Sequence, residues 1–124
     1  MRMLKSWLKR ECGQSVLIVV LSIVMLCGIA ALGVDISQVS VTQGQLQNAA
    51  DAAALAAAKS LPDVTGAKNA AKQYAGLNGV DAANTTATTP YNGNANKIEV
   101  VCKKTVQYTF ARVLGLNSTV VSAR

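Results

Sequence analysis

The apolar and polar positions divide this 124-residue chain into two parts. No charged residue occurs between Glu11 and Asp35, and the window QSVLIVVLSIVMLCGIAALGV supplies about the 20 apolar residues that a helix needs to cross a bilayer. After Asp35 the chain becomes polar and rich in small residues. The pattern therefore predicts a membrane span over residues 15–34, followed by a part that lies outside the hydrocarbon.

The stretch after Asp35 has the composition of a helix that simply continues. It contains no proline before Pro62, only Gly44 weakens it, and residues 46–59 have very high helix propensity. Pro62 provides the stop, because the residue before a proline is disfavoured in the α conformation. We therefore predict one continuous helix over residues 14–60, roughly 70 Å long at 1.5 Å per residue.

Residues 61–124 alternate short helical and strand patterns and predict a small head. The expected elements, in chain order, are a helix over 66–75, β-structure over 85–89, a strand over 97–103, a short amphipathic helix over 106–114 capped by Gly115, and a final strand over 119–122. The predicted fold class is α+β: a long N-terminal membrane-spanning helix that extends outside the membrane, then a head with one or two helices and a two- to three-stranded sheet. We expect the modest core of the head to contain its four aromatic residues, Tyr74, Tyr91, Tyr108 and Phe110.

The positions of the basic residues that give the formal charge of +6 predict a membrane orientation rather than a nucleic-acid partner. Basic residues precede the apolar run at Arg2, Lys5, Lys9 and Arg10, and the next one is Lys59. Because positively charged flanks stay in the cytoplasm, residues 1–13 are expected to be cytoplasmic, with the head outside the inner (plasma) membrane. The remaining basic residues are scattered, whereas nucleic-acid binding needs a clustered basic face.

A cleaved signal peptide is the alternative interpretation of the apolar run. Ala31-Leu32-Gly33 is a tolerable small-x-small cleavage site, and a basic region precedes it. The run is long for a signal peptide, however, and no helix breaker precedes the cleavage site. We therefore favour a retained anchor.

Small residues repeat along the predicted helix. The first set follows alternating spacings of three and four, which keeps it on one face, and the second set repeats every fourth residue. Stripes of this kind let helix backbones approach closely. We predict a helix-packing interface at Ala30, Gly33, Ser37, Ser40, Gly44, Ala49, Ala53 and Ala57.

The chemistry of the chain does not suggest an enzyme. Histidine is absent, the three cysteines have no zinc spacing, and we find no paired carboxylates, phosphate loop or nucleophile constellation, so no catalytic, metal or cofactor site and no small-molecule substrate is predicted. Cys12, Cys27 and Cys102 are interpreted as small, partly buried thiols, with an interchain bridge at Cys102 as the alternative. Asp35 is expected to mark the outer water boundary, and Asp51 to face solvent.

Several of these motifs together resemble a known family. Residues 12–15 (CGQS), the apolar helix, Gly33-Val34-Asp35, and QLQNAADAAALA at 45–56 are similar to the N-terminal region of TadG-like proteins of the Tad (Flp-type) pilus-assembly system. Cys12 stands where the family usually has a basic residue. The resemblance covers residues 9–60 closely, and residues 109–116 and 118–123 are similar to the end of the family's short extracytoplasmic module.

The resemblance implies an inner-membrane-anchored, minor-pilin-like structural component of a pilus-assembly or secretion apparatus. Its partners would be the membrane and pilin-like or pilus-assembly proteins, and a homo-oligomer stays open. The chain has no room for the von Willebrand A-type domain of longer members, and Ile18 stands where type IV pilins carry glutamate, which argues against prepilin-peptidase processing. The alternative function is a secreted or surface-exposed binding module whose anchor is incidental or removed.

Overall fold

The longest element of the structure is helix α1, Met3–Ala58. The computed structural model describes the backbone of residues 3–124 and the side chains of residues 14–124. No proline interrupts α1, and the chain leaves it through a tight turn in which the N–H groups of Ser60 and Leu61 donate to the carbonyls of Ala57 and Ala58 at 3.0 and 3.3 Å. The long helix expected from the sequence is therefore present. It already includes Met3, ahead of residue 14, where the sequence analysis placed its start.

Within the described residues, one helix, α1, is long and apolar enough to cross a membrane. None of its most apolar stretch is buried inside the chain. The side chains of Val16, Leu21 and Leu26 each expose more than half of their surface. The head therefore covers only the C-terminal half of α1.

Helix α2, Val64–Leu77, folds back onto α1. Its N-terminus is capped by Asp63, whose Oδ1 accepts the N–H of Thr65 at 3.0 Å. At the other end Asn78 donates to carbonyls of the last turn, and Gly79 adopts the left-handed conformation that lets the chain reverse, with φ of 79°.

A three-stranded antiparallel sheet completes the head, in the order β1-β2-β3. The strands are β1 (Thr85–Thr88), β2 (Glu99–Gln107) and β3 (Ser118–Ala123). Cys102 in the central strand pairs with Thr85 on one side and Ala123 on the other. The α+β class and the small sheet predicted from the sequence are confirmed.

An alanine seam joins α1 to α2. Alanines at every fourth position of both helices are fully buried, namely Ala49, Ala53 and Ala57 on α1 and Ala67, Ala71 and Ala75 on α2. Side chains this small let the two helix backbones approach closely, and residues of the sheet, including Val100, Cys102 and Val121, belong to the same buried cluster. Leu46 is the largest hydrophobic side chain in this core that is almost completely buried.

Two expectations about the head are wrong. Tyr74 and Phe110 are each 45% exposed, and Tyr91 and Tyr108 are half-buried, so the aromatic residues do not form the core. The close helix contact made by alanine leaves no room for large rings.

The helix expected over 106–114 is also absent. Strand β2 continues to Gln107 because Val106 and Gln107 pair with Thr119 and Ser118 of β3. Only a short 3₁₀ turn, Ala111–Leu114, remains of the predicted helix. Gly115 closes that turn in the left-handed conformation, with φ of 85°, so the predicted glycine cap is present.

We predict that Ala53→Leu destabilises the head, because a larger side chain in a tightly packed core forces the helices apart at a cost of about 1–3 kcal/mol. Ala58→Leu is the matched control, since Ala58 is exposed on the same helix. The buried Cys102 thiol provides the measurement: in a Cys12→Ser/Cys27→Ser background it should react with a maleimide only when the head opens. The urea midpoint of labelling should fall for Ala53→Leu and stay unchanged for Ala58→Leu. Equal midpoints would show that the seam is loosely packed.

Candidate functional site: the Asp35 contact and the two sides of helix α1

The carboxylate of Asp35, on α1, accepts hydrogen bonds from three backbone N–H groups of the head. Its Oδ1 accepts the backbone N–H of Thr109 at 2.8 Å, and its Oδ2 accepts those of Phe110 at 3.0 Å and Ala111 at 2.6 Å. The aspartate is only 2% exposed. We call this arrangement the Asp35 contact. It ties the end of the apolar stretch of α1 to the loop of residues 108–117 between β2 and β3.

The hydrogen bonds determine the charge state of Asp35. Burial of the carboxyl group raises its pKa, but the N–H groups of Ala111, Thr109 and Phe110 together outweigh burial and bring the pKa below its ordinary value of 3.8. Asp35 is therefore an ionised carboxylate at neutral pH. A negative charge with three converging donors also satisfies the free N–H groups at the start of the 3₁₀ turn Ala111–Leu114.

The loop is shaped to meet Asp35 by its own hydrogen bonds. The N–H of Tyr108 donates to the carbonyl of Asn117 at 3.0 Å and closes the base of the loop.

Further along α1, Gln43 and Gln47 donate side-chain hydrogen bonds to the carbonyls of Ser122 and Arg124 at 3.1 and 3.0 Å. The polar residues of α1 after the apolar run thus hold the C-terminal strand as well as the loop.

The carboxylate of Asp35 is buried against backbone N–H groups rather than exposed to water, and the expectation that this residue marks the outer boundary of the membrane stays a prediction. The sequence carried a partial signal, because Asp35 is the first charged residue after Glu11. Its partners could not be recognised in the sequence, because they are backbone N–H groups, which nearly every residue has. The interpretation of Asp51 as a solvent-facing residue is confirmed, with only Gln47 donating to it, at 3.0 Å.

The predicted small-residue stripe divides into two parts on different sides of α1. Ala49, Ala53 and Ala57 are buried in the alanine seam against this chain's own α2, not against another subunit. The others remain exposed: Ala30, Gly33, Ser37, Ser40 and Gly44. We call these five residues the free stripe. At 3.6 residues per turn, the free stripe lies on the side of α1 roughly opposite Asp35 and Leu46.

The free stripe has room around it. A Cβ atom added at Gly33 or Gly44 would meet no heavy atom within 4 Å. Ser37 donates its hydroxyl to the carbonyl of Gly33 at 2.8 Å, which satisfies that hydroxyl within the helix. A shallow groove of about 720 Å³ borders the stripe between α1 and Val106. This side of α1 thus carries small side chains along the stripe and is not covered by the rest of the chain.

The other predicted residues can be placed only in part. Arg2 lies outside the described residues, as do the side chains of Lys5, Lys9 and Arg10. Cys102 is completely buried in β2, and this burial raises the pKa of its thiol, partly offset by a hydrogen bond with Thr85. A bridge from Cys102 to a second chain would require the sheet to open, so the structure supports the buried-thiol interpretation.

Metal-binding side chains do not converge in the described part of the chain, where no three Cys, Asp or Glu residues come together. The geometry instead offers surfaces for contact: the free stripe, the exposed apolar half of α1, and the loop held by Asp35.

Comparison with known families identifies the segment that carries these features. Residues 13–60 match the Tad family model, described as putative Flp pilus-assembly TadE/G-like. The resemblance inferred from the sequence is confirmed over this segment. The Tad match thus covers α1 from Gly13 onward and ends before α2. No curated protein and no solved structure matches the chain.

The Tad-matched segment holds one half of the Asp35 contact, and the other half lies beyond it. Asp35 and the whole small-residue pattern fall inside residues 13–60. The N–H donors of Thr109, Phe110 and Ala111 fall outside it. The similarity of residues 109–116 and 118–123 to the end of the family's module stays a prediction.

We predict that Asp35→Asn releases the loop. An amide offers one acceptor oxygen and no charge, so it cannot hold three N–H groups, and a charged acceptor makes the stronger hydrogen bonds. Hydrogen–deuterium exchange at Thr109, Phe110 and Ala111 should become faster, while exchange in β1 stays slow. Asp51→Asn, the same change at an exposed aspartate of α1, should leave the loop unaffected.

The same contact should depend on pH in the native chain. Because the pKa of Asp35 is lowered by folding, its stabilisation is complete above the ordinary value of 3.8 and is lost as the pH falls through the lower, folded value. Loop exchange, corrected for the intrinsic pH dependence of amide exchange, should rise in that acidic range for the native chain and stay level in Asp35→Asn. A native loop whose corrected exchange already rises at or above pH 3.8, or rises equally in Asp35→Asn, would contradict the assignment.

Proposed function

We propose that this protein is a membrane-anchored, minor-pilin-like structural component of Tad/Flp-type pilus assembly or of a related secretion apparatus. It acts by helix packing and by presenting its head outside the membrane. A role related to pilus assembly follows from the Tad match over residues 13–60. The observation that carries the finer proposal is that the matched helix combines an unburied apolar half with a free stripe on the side away from the head.

The apolar half supports the anchor. The side chains of Leu17, Ile23 and Met25, for example, expose 59%, 54% and 68% of their surface. Such a helix in water would leave a continuous apolar surface unsatisfied, whereas a bilayer covers it. The anchor spans residues 15–34 in this proposal, with residues 1–13 in the cytoplasm and the head on the far side of the inner membrane.

The free stripe supports packing against partner helices. The head occupies one side of α1 and leaves Gly33, Ser37 and Gly44 uncovered on the other. Small residues permit the close backbone packing through which helices associate inside lipid, where Gly33 lies, and Ser37 and Gly44 extend the same close approach beyond the span. The partners are pilin-like or pilus-assembly helices, with a second copy of this chain as one form of such a partner.

The role is structural rather than catalytic in this proposal. Asp35, the buried carboxylate of the contact described above, has all of its donors inside the chain. The partly buried carboxylate of Glu99 lies 3.3 Å from the guanidinium of Arg124, an ion pair within the head. Both acids are explained by contacts that hold the fold together.

We predict that Gly33→Leu and Gly44→Leu weaken association without damaging the fold. Neither leucine meets an atom of this chain at its Cβ, and glycine is the poorer helix former by about 1 kcal/mol. Gly76→Leu is the matched control, because Gly76 is also an open helical glycine but lies on α2. In membranes, crosslinking should fall for the two stripe variants and be unchanged for the control. If all three variants reach normal levels in the membrane and crosslink as the native chain does, α1 serves as an anchor and does not pack through the stripe.

We also predict that a reporter fused after Arg124 is active only if it functions outside the cytoplasm. The four basic residues before the apolar run favour this orientation. The mass of the mature chain should include residues 1–33. Activity of a cytoplasm-only reporter would contradict the orientation, and a mature N-terminus near residue 34 would favour a secreted binding module instead.

A further inference from the structure

The loop between β2 and β3 exposes apolar side chains that the head does not cover. Val113, Leu114 and Leu116 are 88%, 70% and 58% exposed, and Phe110 is 45% exposed. Four large apolar residues on one short loop form an interaction surface rather than isolated exposed side chains. The free stripe and the Tad match do not account for this surface, which we call the apolar loop.

The apolar loop lies beside the membrane half of α1. An apolar cleft of about 520 Å³ separates the two, with walls formed by Met25, Gly28 and Leu32 on α1 and by Phe110, Val113 and Leu114 on the loop. Met25 and Leu32 precede Asp35, and at 1.5 Å per residue they lie roughly 5–15 Å from it along the helix, toward the cytoplasmic end. The loop therefore reaches below the level of Asp35, into the range of the predicted span.

Contact with hydrocarbon favours a backbone whose polar groups are paired internally, and most N–H groups of the loop are paired in this way. Asp35 accepts three of them. Val113 and Gly115 donate to the carbonyls of Phe110 and Arg112 at 3.1 and 3.0 Å, and Leu116 donates to that of Ala111 at 3.1 Å. The loop thus presents apolar side chains outward while most of its N–H groups are used inside.

We propose that the apolar loop inserts into the outer leaflet of the membrane that α1 spans, with lipid acyl chains filling the cleft. The inference rests on the proposed membrane anchoring. Arg112, the charged residue of the loop, is exposed beside the apolar side chains, as expected for a cation that extends to lipid phosphates. The Asp35 contact sets the depth of the loop, because it joins the loop to α1 at the end of the span.

This arrangement gives the head a second attachment to the membrane. A single helix leaves the head free to rotate about the helix axis, whereas an inserted loop on one side of α1 restricts that rotation. The free stripe lies roughly opposite Asp35, so the side of α1 that carries the stripe remains uncovered by the loop. The inserted loop and the stripe can therefore be occupied at the same time.

Tryptophan quenching in vesicles tests the proposal on the full chain. In a Trp7→Phe background, single variants place tryptophan on the loop (Val113→Trp), within the apolar half of α1 (Leu26→Trp), or on the head (Leu77→Trp). Val113, Leu26 and Leu77 are 88%, 66% and 74% exposed, so each site accepts a larger side chain. Phosphatidylcholine vesicles with brominated acyl chains quench tryptophans in hydrocarbon, and acrylamide quenches those in water.

We expect Val113→Trp and Leu26→Trp to lose fluorescence with brominated lipid, and Leu77→Trp to lose it only with acrylamide. If Leu26→Trp is quenched by lipid but Val113→Trp is quenched by acrylamide alone, the loop lies in water and the inference fails while the anchor stands. If Val113→Trp is shielded from both quenchers, a protein partner covers the loop and the lipid assignment is wrong. If Leu26→Trp is quenched by acrylamide and not by lipid, the anchoring proposal fails together with this one.

Leu116→Trp provides a second loop position. Slow hydrogen exchange at Thr109, Phe110 and Ala111 in each loop variant shows that the Asp35 contact is intact. The proposal would be overturned if brominated lipid quenched neither Val113→Trp nor Leu116→Trp while hydrogen exchange showed that the Asp35 contact was intact.

Discussion

The geometry of this protein depends on one buried carboxylate. Asp35 collects three consecutive backbone N–H groups from a loop 74–76 residues further along the chain. The loop is thereby fixed to α1 at the point where the apolar half of the helix ends. Without this contact the loop would have three N–H groups lacking a protein acceptor, and the long strand β2 would lose the anchor beyond its last residue.

The contact also divides the surfaces of α1. On the side of Asp35 and Leu46 the helix is covered by the head, first by the loop and then by the alanine seam with α2. On the roughly opposite side, residues such as Gly33 and Gly44 stay open. A single helix thus serves as core element and as free surface. The proposed assembly role needs both, since the head must remain folded while α1 packs against a partner.

The elements that were predicted correctly are those determined by local composition. The uncharged run before Asp35 and the absence of proline before Pro62 were enough to predict α1, and the alternation around Val100 and Cys102 was enough to predict part of β2. The prediction of a helix over 106–114 was wrong. The spacing of apolar residues there suits a helix, but its first two residues pair with β3. Pairing partners far along the chain leave no mark in a local window.

The candidate site was predictable only in outline. The small residues were recognised as packing positions, but a period of four does not say whether the partner is another subunit or the chain itself. Ala53 and Gly33 are both small residues at helical spacings, and only the return of α2 buries Ala53 while Gly33 stays uncovered. The aromatic residues misled for a related reason, since a large ring such as that of Tyr74 on α2 could fill the seam only if the helices were further apart.

The sequence by itself determined the long helix, the apolar half that predicts a membrane span, and the alanine pattern on which the family resemblance rests. These are properties of composition and period along one segment, and backbone geometry converts them directly into structure. Only the tertiary structure decided that Asp35 is buried, that the stripe is split between two sides of α1, and that the apolar loop lies beside the span. Each of these depends on contacts between residues far apart in the chain, and a one-dimensional pattern does not record which distant groups the fold brings together.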